Sequence, residues 1–479
     1  MHLSAKQREL NKNLAHATSY NQWLQAAEAL DAAEGLLAWR DSDASEFFDE
    51  ALLRQHVRAM RELREAHDLE KLPDLLKESI FRHVGELNNP RLYQYARSGT
   101  KRVIGEYLDE VERVMRTLAE QSIPNMSEKH KLQLFIHAQR VYGCSALVLS
   151  GGASFGIYHL GVAKALWEQG LLPKVLVGSS MGSIVAAGIC NRSDAELDVF
   201  FKTLHGMHLH ALQWRTLREM KQHGSAMDEQ QLLEHIVANV GSATFAEAFA
   251  KSGRTLNITV SPTRVHQKPR ILTHLTSPDA LIEYGALASC AVPLLYPAVA
   301  LKARGADGQH VPYMSTEKWI DGALHSDIPR ERLARLHNIN QIIVSQANPH
   351  VIPFTTHKNK RGVIAFGKQV LSTVIHTGSA EVLDLSRHFF DRTPLRSVVS
   401  QAHAIASQNY LGDINIQFPF SLAAYRKVIA NPTEQDLLDY IRMGEQATWA
   451  QMAMIRDTTR IGRLFDECIE LIQQRIKLQ

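Results

Sequence analysis

The chain has 479 residues, of which 45% are hydrophobic and 22% are charged. Its length suggests about two to three domains, and this composition is typical of a globular protein. A formal net charge of +3 is too small to predict binding to nucleic acid, although it is compatible with an anionic membrane surface. Since the N-terminus lacks a secretory signal and no stretch approaches ~18 uncharged apolar residues, we expect a cytoplasmic protein with peripheral membrane contact only.

The four cysteines are far apart in the sequence and form no C-x-x-C pair. They are Cys144, Cys190, Cys290 and Cys468. This spacing predicts neither a zinc site nor a disulfide framework, and it favours a reducing compartment.

The first part of the chain has a helical pattern. From about residue 18 to residue 141, apolar residues recur at spacings of three and four, and an S-x-x-Q capping box at Ser19 and Gln22 marks the start of one helix. Pro90 and the sequence I-P-N at 123–125 interrupt the pattern. We expect an N-terminal helical domain at residues 1–141.

Short β-prone segments alternate with helices from Ser145 onward. They lie at 146–149, 175–177, 257–260, 271–275, 318–320 and 341–344. Apolar strands separated by helices predict βαβ units and a mostly parallel sheet that is covered by helices. We place this α/β domain at residues 142–350.

Helices return in the last part of the chain, which we expect to be a mainly helical extension at residues 351–479. Periodic apolar residues predict helices at 363–375 and at about 448–476, with a short strand at 413–417 between them. Basic residues at 357–361 precede the first of these helices. That helix fits either a lipid interface or core packing, and core packing is the more common role.

Ser180 lies at the centre of a G-x-S-x-G sequence between Gly178 and Gly182. The pattern arises by chance in many chains, but here an apolar strand precedes it and an alanine-rich helix follows it. A serine on such a turn presents its hydroxyl at the carboxyl end of the sheet, and the N-terminus of the following helix favours developing negative charge. The pattern therefore predicts a nucleophile.

A glycine-rich loop follows the first strand and contains Gly151, Gly152, Ala153 and Gly156. Glycines between a strand and a helix let backbone N–H groups converge on an anion, either a phosphate or the oxyanion of acyl transfer. Neither a Walker G-K-[ST] nor a G-x-G-x-x-G spacing is present, so the phosphate alternative is disfavoured. A simple tight turn remains the other interpretation.

Asp321 ends an apolar strand and is followed by Gly322 and Ala323. A carboxylate at the end of one strand can approach the end of another strand closely. A surface turn can have the same sequence, so this motif alone leaves both interpretations open.

Together, the three motifs resemble the patatin-like phospholipase family. That family pairs a G-x-S-x-G serine with the aspartate of a D-G-[GA] motif and forms its oxyanion hole from a glycine-rich loop. The resemblance implies a three-layer α/β/α core with a mostly parallel sheet, Ser180 as the nucleophile and Asp321 as the base. It also implies that Gly151, Gly152 and Ala153 form the oxyanion hole. The sequence A-S-C-A-V-P at 288–293 is similar to a further motif of the family.

The N-terminal segment resembles the helical domain of lipid-droplet triacylglycerol lipases. The similar sequences are A-T-S-Y-N-Q-W-L-Q-A-A at 17–27, N-N-P-R-L-Y at 88–93 and G-T-K-R-V-I-G-E-Y at 99–107. The wider family has D-G-G-G-x-R-G in its loop, whereas this chain has Ser150, Ala153 and Phe155 in place of the Asp, the third Gly and the Arg. Without that arginine, only backbone N–H groups are left to stabilise the oxyanion.

These patterns predict a serine acyl-ester hydrolase that cleaves a triacylglycerol or a phospholipid through an acyl-enzyme, at a membrane or lipid-droplet surface. Two alternatives stay open, namely an acyltransferase that uses the same two residues and a non-catalytic lipid-binding scaffold. A serine, histidine and aspartate triad would need a late histidine such as His325 or His350, but a structural role is more common for each. The chemistry requires no metal or cofactor, no nucleic-acid partner is expected, and self-association is left open.

Overall fold

A computed structural model gives the fold of the chain and describes residues 4–42, 44–80, 82–204, 207–264, 267–293, 295–323, 328–349, 351, 410–419 and 427–478. The α-helices before the first strand are α1 (Ala5–His16), α2 (Tyr20–Ala33), α3 (Leu36–Asp41), α4 (Glu50–Glu65), α5 (Leu72–Ser79), α6 (Arg102–Glu120) and α7 (Glu128–Tyr142). The predicted cap of α2 is present in part, because Ser19 Oγ accepts a hydrogen bond from the Gln22 N–H. The Gln22 side chain accepts from the Thr18 N–H and not from that of Ser19.

The described residues also form a seven-stranded sheet with the strand order β4-β3-β2-β1-β8-β9, and β7 pairs with β3 beside this path. The strands are β1 (Cys144–Leu149), β2 (Val175–Gly178), β3 (Thr255–Pro262), β4 (Arg270–Leu272), β5 (Lys302–Arg304), β6 (His310–Pro312), β7 (Trp319–Asp321), β8 (Ile339–Gln346) and β9 (Ile414–Gln417). The β9, β8, β1, β2 and β3 strands are parallel, whereas β4 and β7 are antiparallel to β3. β5 and β6 form a separate hairpin.

The remaining α-helices lie between and after the strands. They are α8 (Tyr158–Glu168), α9 (Met181–Cys190), α10 (Asp194–Lys202), α11 (Leu217–His223), α12 (Glu229–Val240), α13 (Phe245–Ser252), α14 (Ile282–Ser289), α15 (Arg330–His337), α16 (Glu434–Trp449) and α17 (Met452–Leu478). In the described ranges, no helix is both long and apolar enough to span a membrane.

Alternate residues of the buried strands face opposite helical layers. In β1, Leu147 and Leu149 belong to a large core with residues of α8, α9, α14 and α16. Ala146 and Val148 point the other way, into a smaller core that includes Leu333 of α15. The sheet is therefore covered on both faces, which confirms the predicted three-layer α/β fold.

The helices after β9 are shared between two cores. α16 packs on α8 so closely that a Cβ atom on Gly161 would collide with the Ile441 carbonyl oxygen. α17 contributes Phe465 and Ile472 to the core of α4, α5, α6 and α7. The regularly spaced apolar residues of α6, which lie within the helical pattern predicted for residues 18–141, are buried in this core. The domain division at residues 141 and 350 stays a prediction.

The strands predicted from the sequence are present, with ends that differ by up to three residues. The β5–β6 hairpin was not predicted, since its short strands include the polar residues Lys302, Arg304 and His310 and lack an apolar pattern. The helix predicted at about 448–476 is α17, which a break at Ala450 and Gln451 separates from α16. The predicted helix at 363–375 and its basic flank lie outside the described residues.

Candidate active site

Ser180 occupies a sharp turn between β2 and α9. Its backbone dihedral angles are φ 50° and ψ −128°, a strained combination for a residue with a side chain. A Cβ atom on Gly178 would collide with the backbone of Gly182 and Ser183, and one on Gly182 would lie 2.5 Å from the Ser150 carbonyl oxygen. Both glycines of the motif are therefore required, because the end of β2 contacts the start of α9 closely and the start of α9 contacts the end of β1 closely.

Buried serines fix the backbone of this turn. The Ser180 N–H donates a hydrogen bond of 2.9 Å to Ser289 Oγ, and Ser183 Oγ donates one of 2.6 Å to the Ser180 carbonyl oxygen. Ser183 and Ser289 are both fully buried. The strained conformation is thus held by α9 and α14, while the Ser180 side chain contributes to the wall of a cavity.

The glycine-rich loop is tied to the end of β8 through Ser150. Ser150 Oγ accepts a hydrogen bond of 2.8 Å from the Ala347 N–H and donates one of 2.8 Å to the Gly151 carbonyl oxygen. The Ser150 N–H donates to the Ser345 carbonyl oxygen at 3.1 Å. A hydroxyl thus anchors the loop at the position where the wider family has an aspartate.

His159 is buried next to this anchor. Its Nε2 lies 2.9 Å from the Ser150 carbonyl oxygen and its Nδ1 lies 2.7 Å from Ser345 Oγ. Because a carbonyl oxygen only accepts, Nε2 carries the proton and Nδ1 accepts from the serine hydroxyl. Burial lowers the pKa of His159 to about 4, although the Ser150 carbonyl opposes this effect. The imidazole is therefore neutral at physiological pH.

Gly151 lies between the serine turn and the D-G-A motif. A Cβ atom on Gly151 would be 3.5 Å from Ser180 Cβ, 3.4 Å from Ala323 Cβ and 2.9 Å from Asn348 Oδ1. The three motifs that are far apart in the sequence therefore meet at one place, at the carboxyl ends of the parallel strands.

Asp321 reaches this place through an unusual strand pairing. Val260 of β3 pairs with Arg270 on one side and with Asp321 of β7 on the other, just beyond the point where β2 ends at Gly178. The aspartate is 3% exposed, and its Oδ1 accepts a hydrogen bond of 2.8 Å from the Ala323 N–H. A buried carboxylate thus lies next to the turn at Ser180, which follows the end of β2.

The Cys290 thiol lies close to both Ser180 and Asp321. Burial is the main cause that raises its pKa, the charge of Asp321 raises it further, and hydrogen bonds with Ser180 and Ser183 oppose the rise. The thiol is therefore protonated. Cys290 and Ser289 both belong to the A-S-C-A-V-P sequence, so this motif supports the serine turn directly.

A largely apolar cavity begins at Ser180. It encloses about 1060 Å³ of space free of protein atoms, part of which is continuous with solvent. Its wall comes from the glycine-rich loop, α9, α12, the segment around residues 207–212 and the start of α16. Concave sites with a mostly apolar lining hold apolar ligands, and an acyl chain has that chemistry.

A few polar groups interrupt the apolar wall. His208 Nδ1 lies 3.3 Å from His235 Nδ1, and the Asn239 amide donates to both backbone carbonyl groups of this pair. Burial first, and then the neighbouring histidines, lower the pKa of His235 to about 4. The Tyr296 hydroxyl is buried in the wall, and no residue in the described ranges forms a hydrogen bond with it.

Comparison with known proteins gives two family matches. The patatin-like phospholipase family matches residues 147–334, and a domain of unknown function (DUF3336) matches residues 1–140. Triacylglycerol lipase ptl3 of Schizosaccharomyces pombe is 32% identical over 98% of this chain and 99% of its own length. The chain belongs to the patatin-like phospholipase family. This membership confirms the expected class of enzyme, a lipase or esterase.

Two further relatives of this patatin-like chain are longer than it. Triacylglycerol lipase 5 of Saccharomyces cerevisiae is 31% identical over 98% of this chain and 66% of its own length. Triacylglycerol lipase SDP1L of Arabidopsis thaliana is 32% identical over 99% of this chain and 60% of its own length. The chain thus spans slightly less than two thirds of each. The solved structure of VipD from Legionella pneumophila aligns with 65% of the chain at a TM-score of 0.30 and 15% identity.

The structure brings together the predicted residues of this patatin-like site. Ser180, the loop at Gly151 and Gly152, and the D-G-A motif converge as described, and Gly156 packs against Met181 at the start of α9. Ala153 lies in the left-handed region at φ 47°, where the wider family has glycine. The candidate histidines His325 and His350 lie outside the described residues.

Sequence reasoning missed several residues around the site. His159, Asn348 and Tyr296 carry no motif, and only the folded chain places them near Ser180 or in the cavity wall. Cys290 lay within a recognised motif but had no assigned contact. Across the described ranges, no group of three or more His, Cys, Asp and Glu side chains is arranged to hold a metal ion.

Proposed function

We propose that this chain hydrolyses acyl esters of glycerolipids, with Ser180 as the nucleophile and Asp321 as its general base. The observation that carries the proposal is the convergence of a strained serine turn, a glycine-rich loop and a buried aspartate at the start of an apolar cavity. Acyl transfer needs an exposed nucleophile, hydrogen-bond donors for an oxyanion and a proton acceptor, and each of the three parts matches one of these needs.

In the proposed first step, Asp321 accepts the proton of the Ser180 hydroxyl while Oγ forms a bond to the ester carbonyl carbon. The carbonyl oxygen becomes an oxyanion that the backbone N–H groups of the loop at Gly151, Gly152 and Ala153 stabilise, and one such donor contributes about 10²- to 10³-fold in rate. The carbon–oxygen bond to the glycerol moiety then breaks, and the leaving oxygen takes the proton from Asp321. An acyl-enzyme on Ser180 remains.

In the second step, water attacks the acyl-enzyme with Asp321 again accepting the proton. The fatty acid is released and Ser180 regains its hydrogen. The same acyl-enzyme can pass its acyl group to an alcohol, so analysis of the products separates hydrolysis from acyl transfer. A neutral His159 takes no part in these proton transfers, because its two nitrogens are hydrogen-bonded to Ser150 and Ser345.

Triacylglycerol is the substrate that we favour over phospholipid. The described wall of the cavity contains neither lysine nor arginine, so it offers no cation to pair with a phosphate. The loop has Phe155 in place of the family's arginine, and that phenylalanine is stacked on Phe418 with ring centroids 4.5 Å apart. The names of the relatives, which are triacylglycerol lipases, support the same choice.

The test compares the wild type with Ser180→Ala and Asp321→Asn on a short-chain p-nitrophenyl ester and on emulsified triacylglycerol. We expect Ser180→Ala to lose both turnover and labelling by a fluorophosphonate probe, and Asp321→Asn to lose turnover. The exposed residues Ser315 and Asp307 provide matched controls, because Ser315→Ala and Asp307→Asn make the same chemical changes on the surface. A folded wild type that neither turns over nor takes the label would favour the scaffold alternative.

A further inference from the structure

Large apolar side chains are exposed in two segments of the chain that also contribute to the cavity wall or directly follow residues that do. Trp214 is 51% exposed, Leu217 is 85% exposed and Ile429 is 48% exposed. Ile429 also contributes to the cavity wall, so the cavity reaches the protein surface at this residue. Large apolar side chains that are exposed together mark a surface that contacts something other than water.

Hydrogen bonds hold the parts of this surface together. Asn431 Oδ1 accepts from the Ala211 and Leu212 N–H groups at 3.1 Å and 2.8 Å, and its amide donates to the Leu212 carbonyl oxygen at 2.8 Å. Trp214 forms an isolated β-bridge with Met227, which itself lines the cavity. The tryptophan is therefore held next to a residue of the cavity wall.

The same surface carries cations that have no anionic partner in the described part of the chain. None of the residues of α11 is buried, and Arg218 and Lys221 on this helix are exposed. No described carboxylate lies within ion-pair distance of either of them. The neighbouring ion pairs are Arg215 with Asp228 at 3.7 Å and Lys427 with Asp436 at 2.7 Å.

We propose that Trp214, Leu217, Arg218, Lys221 and Ile429 form a docking face that rests on a lipid surface and admits acyl chains to the cavity behind it. The inference rests on the proposed function, since it takes the cavity to hold an acyl chain. A lipid surface fits this face better than a protein does, because tryptophan and basic residues beside apolar side chains are the chemistry of interfacial binding. The apolar cavity reaches this face at Ile429, which is both exposed and part of the cavity wall.

The experiment measures binding of the Ser180→Ala chain to vesicles of phosphatidylcholine with added phosphatidylserine, so that hydrolysis cannot change the vesicles. We expect Trp214→Ser with Leu217→Ser to weaken binding by at least about tenfold, because the apolar contact area is lost. The matched control is Leu275→Ser, since Leu275 is 57% exposed on another part of the surface. The control should bind as tightly as the parent.

The positive charges of Arg218 and Lys221 are tested by a second binding measurement, in which the effect of each substitution should depend on salt and on anionic lipid. We expect Arg218→Gln and Lys221→Gln each to weaken binding by about fivefold at low salt. The effect should disappear at high salt and on vesicles of phosphatidylcholine alone. Because all four residues are exposed, melting temperatures close to that of the parent are expected for every variant.

Three results would overturn the docking face. The parent could fail to bind vesicles, the Trp214→Ser and Leu217→Ser chain could bind as well as the parent, or light scattering could show a dimer that these substitutions dissociate. Hydrolysis of a soluble short-chain ester by the Ser180 form separates the two proposals. If the wild type does not hydrolyse this ester, the proposed function is contradicted. The comparison of vesicle binding still tests the docking face in that case.

Discussion

The imidazole of His159 and the hydroxyl of Ser345 form a buried hydrogen bond of 2.7 Å at the base of the glycine-rich loop. The imidazole is completely buried and neutral, and its pKa falls to about 4 from an ordinary value of 6.5. Its second nitrogen supports the Ser150 carbonyl group, so the loop's position depends on an uncharged ring.

This arrangement predicts a pH-dependent stability. In the unfolded chain His159 binds a proton near pH 6.5, whereas in the folded chain it binds one only near pH 4. The stabilising contribution of this ring is therefore complete above pH 6.5 and is lost as the pH falls towards 4, by up to about 1.4 kcal/mol per pH unit. We expect the free energy of unfolding, measured with urea, to fall less between pH 7 and pH 5 in His159→Gln than in the wild type. His310→Gln, at an exposed histidine, should keep the wild-type loss, and parallel losses in all three chains would contradict the prediction.

Ala153→Gly should stabilise the protein. The left-handed φ of 47° at Ala153 costs an alanine about 1–2 kcal/mol, which glycine avoids at some entropic cost of its own. We expect a net gain of about 0.5–1 kcal/mol in the free energy of unfolding, with ester hydrolysis retained because the backbone N–H stays. The control is Ala250→Gly within α13, where the same change should be destabilising by a similar amount. A loss of stability at both positions would show that the loop has another conformation in solution.

Two buried tyrosines should respond differently to loss of the hydroxyl group. Tyr107 OH donates a hydrogen bond of 2.5 Å to the Ser79 carbonyl oxygen, so Tyr107→Phe should cost about 1–2 kcal/mol of unfolding free energy. Tyr296 OH has no hydrogen-bond partner within the described ranges, so Tyr296→Phe should leave the unfolding free energy within about 0.5 kcal/mol or raise it. Chemical denaturation measures both, and equal losses would mean that Tyr296 has a partner.

Gly161→Ala should test the contact between α8 and α16. A Cβ atom at Gly161 would collide with the backbone of α16, and backbone cannot move aside as a flexible side chain can. We expect a loss of about 1–3 kcal/mol or more in unfolding free energy. Gly105 is also inside a helix, α6, but a Cβ atom there meets nothing within 4 Å, so Gly105→Ala should stabilise by about 0.5–1 kcal/mol. Thermal melts of the two variants should shift in opposite directions.

The sequence predicted those parts of the molecule that local pattern determines. Apolar runs of strand length gave the sheet, and the spacing of Gly178, Ser180 and Gly182 gave the turn, because in both cases the residues that decide the structure are neighbours in the chain. The same holds for the apolar spacing in α6 and for the part of the capping box in which Ser19 accepts from the Gln22 N–H.

The remaining features depend on pairing between distant segments. The position of Asp321 follows from antiparallel pairing of β7 with β3 across some 60 residues, and no local pattern encodes that register. The cavity wall combines residues around 207–212 with residues near 431. His159 and Tyr296 are ordinary residues of a helix and a loop until those contacts form.

The last helix of the described chain has a consequence for the order in which the protein folds during its synthesis. α17 fills the core of the N-terminal helices, and Cys468 Sγ lies 3.7 Å from the Met115 carbonyl oxygen on α6. A ribosome makes α4, α5, α6 and α7 long before it makes α17, so their shared apolar surface stays open while more than 300 residues are added. The nascent N-terminal helices therefore expose apolar surface that favours aggregation until residues around 465 emerge. By that time, the residues of the candidate active site have already been synthesised.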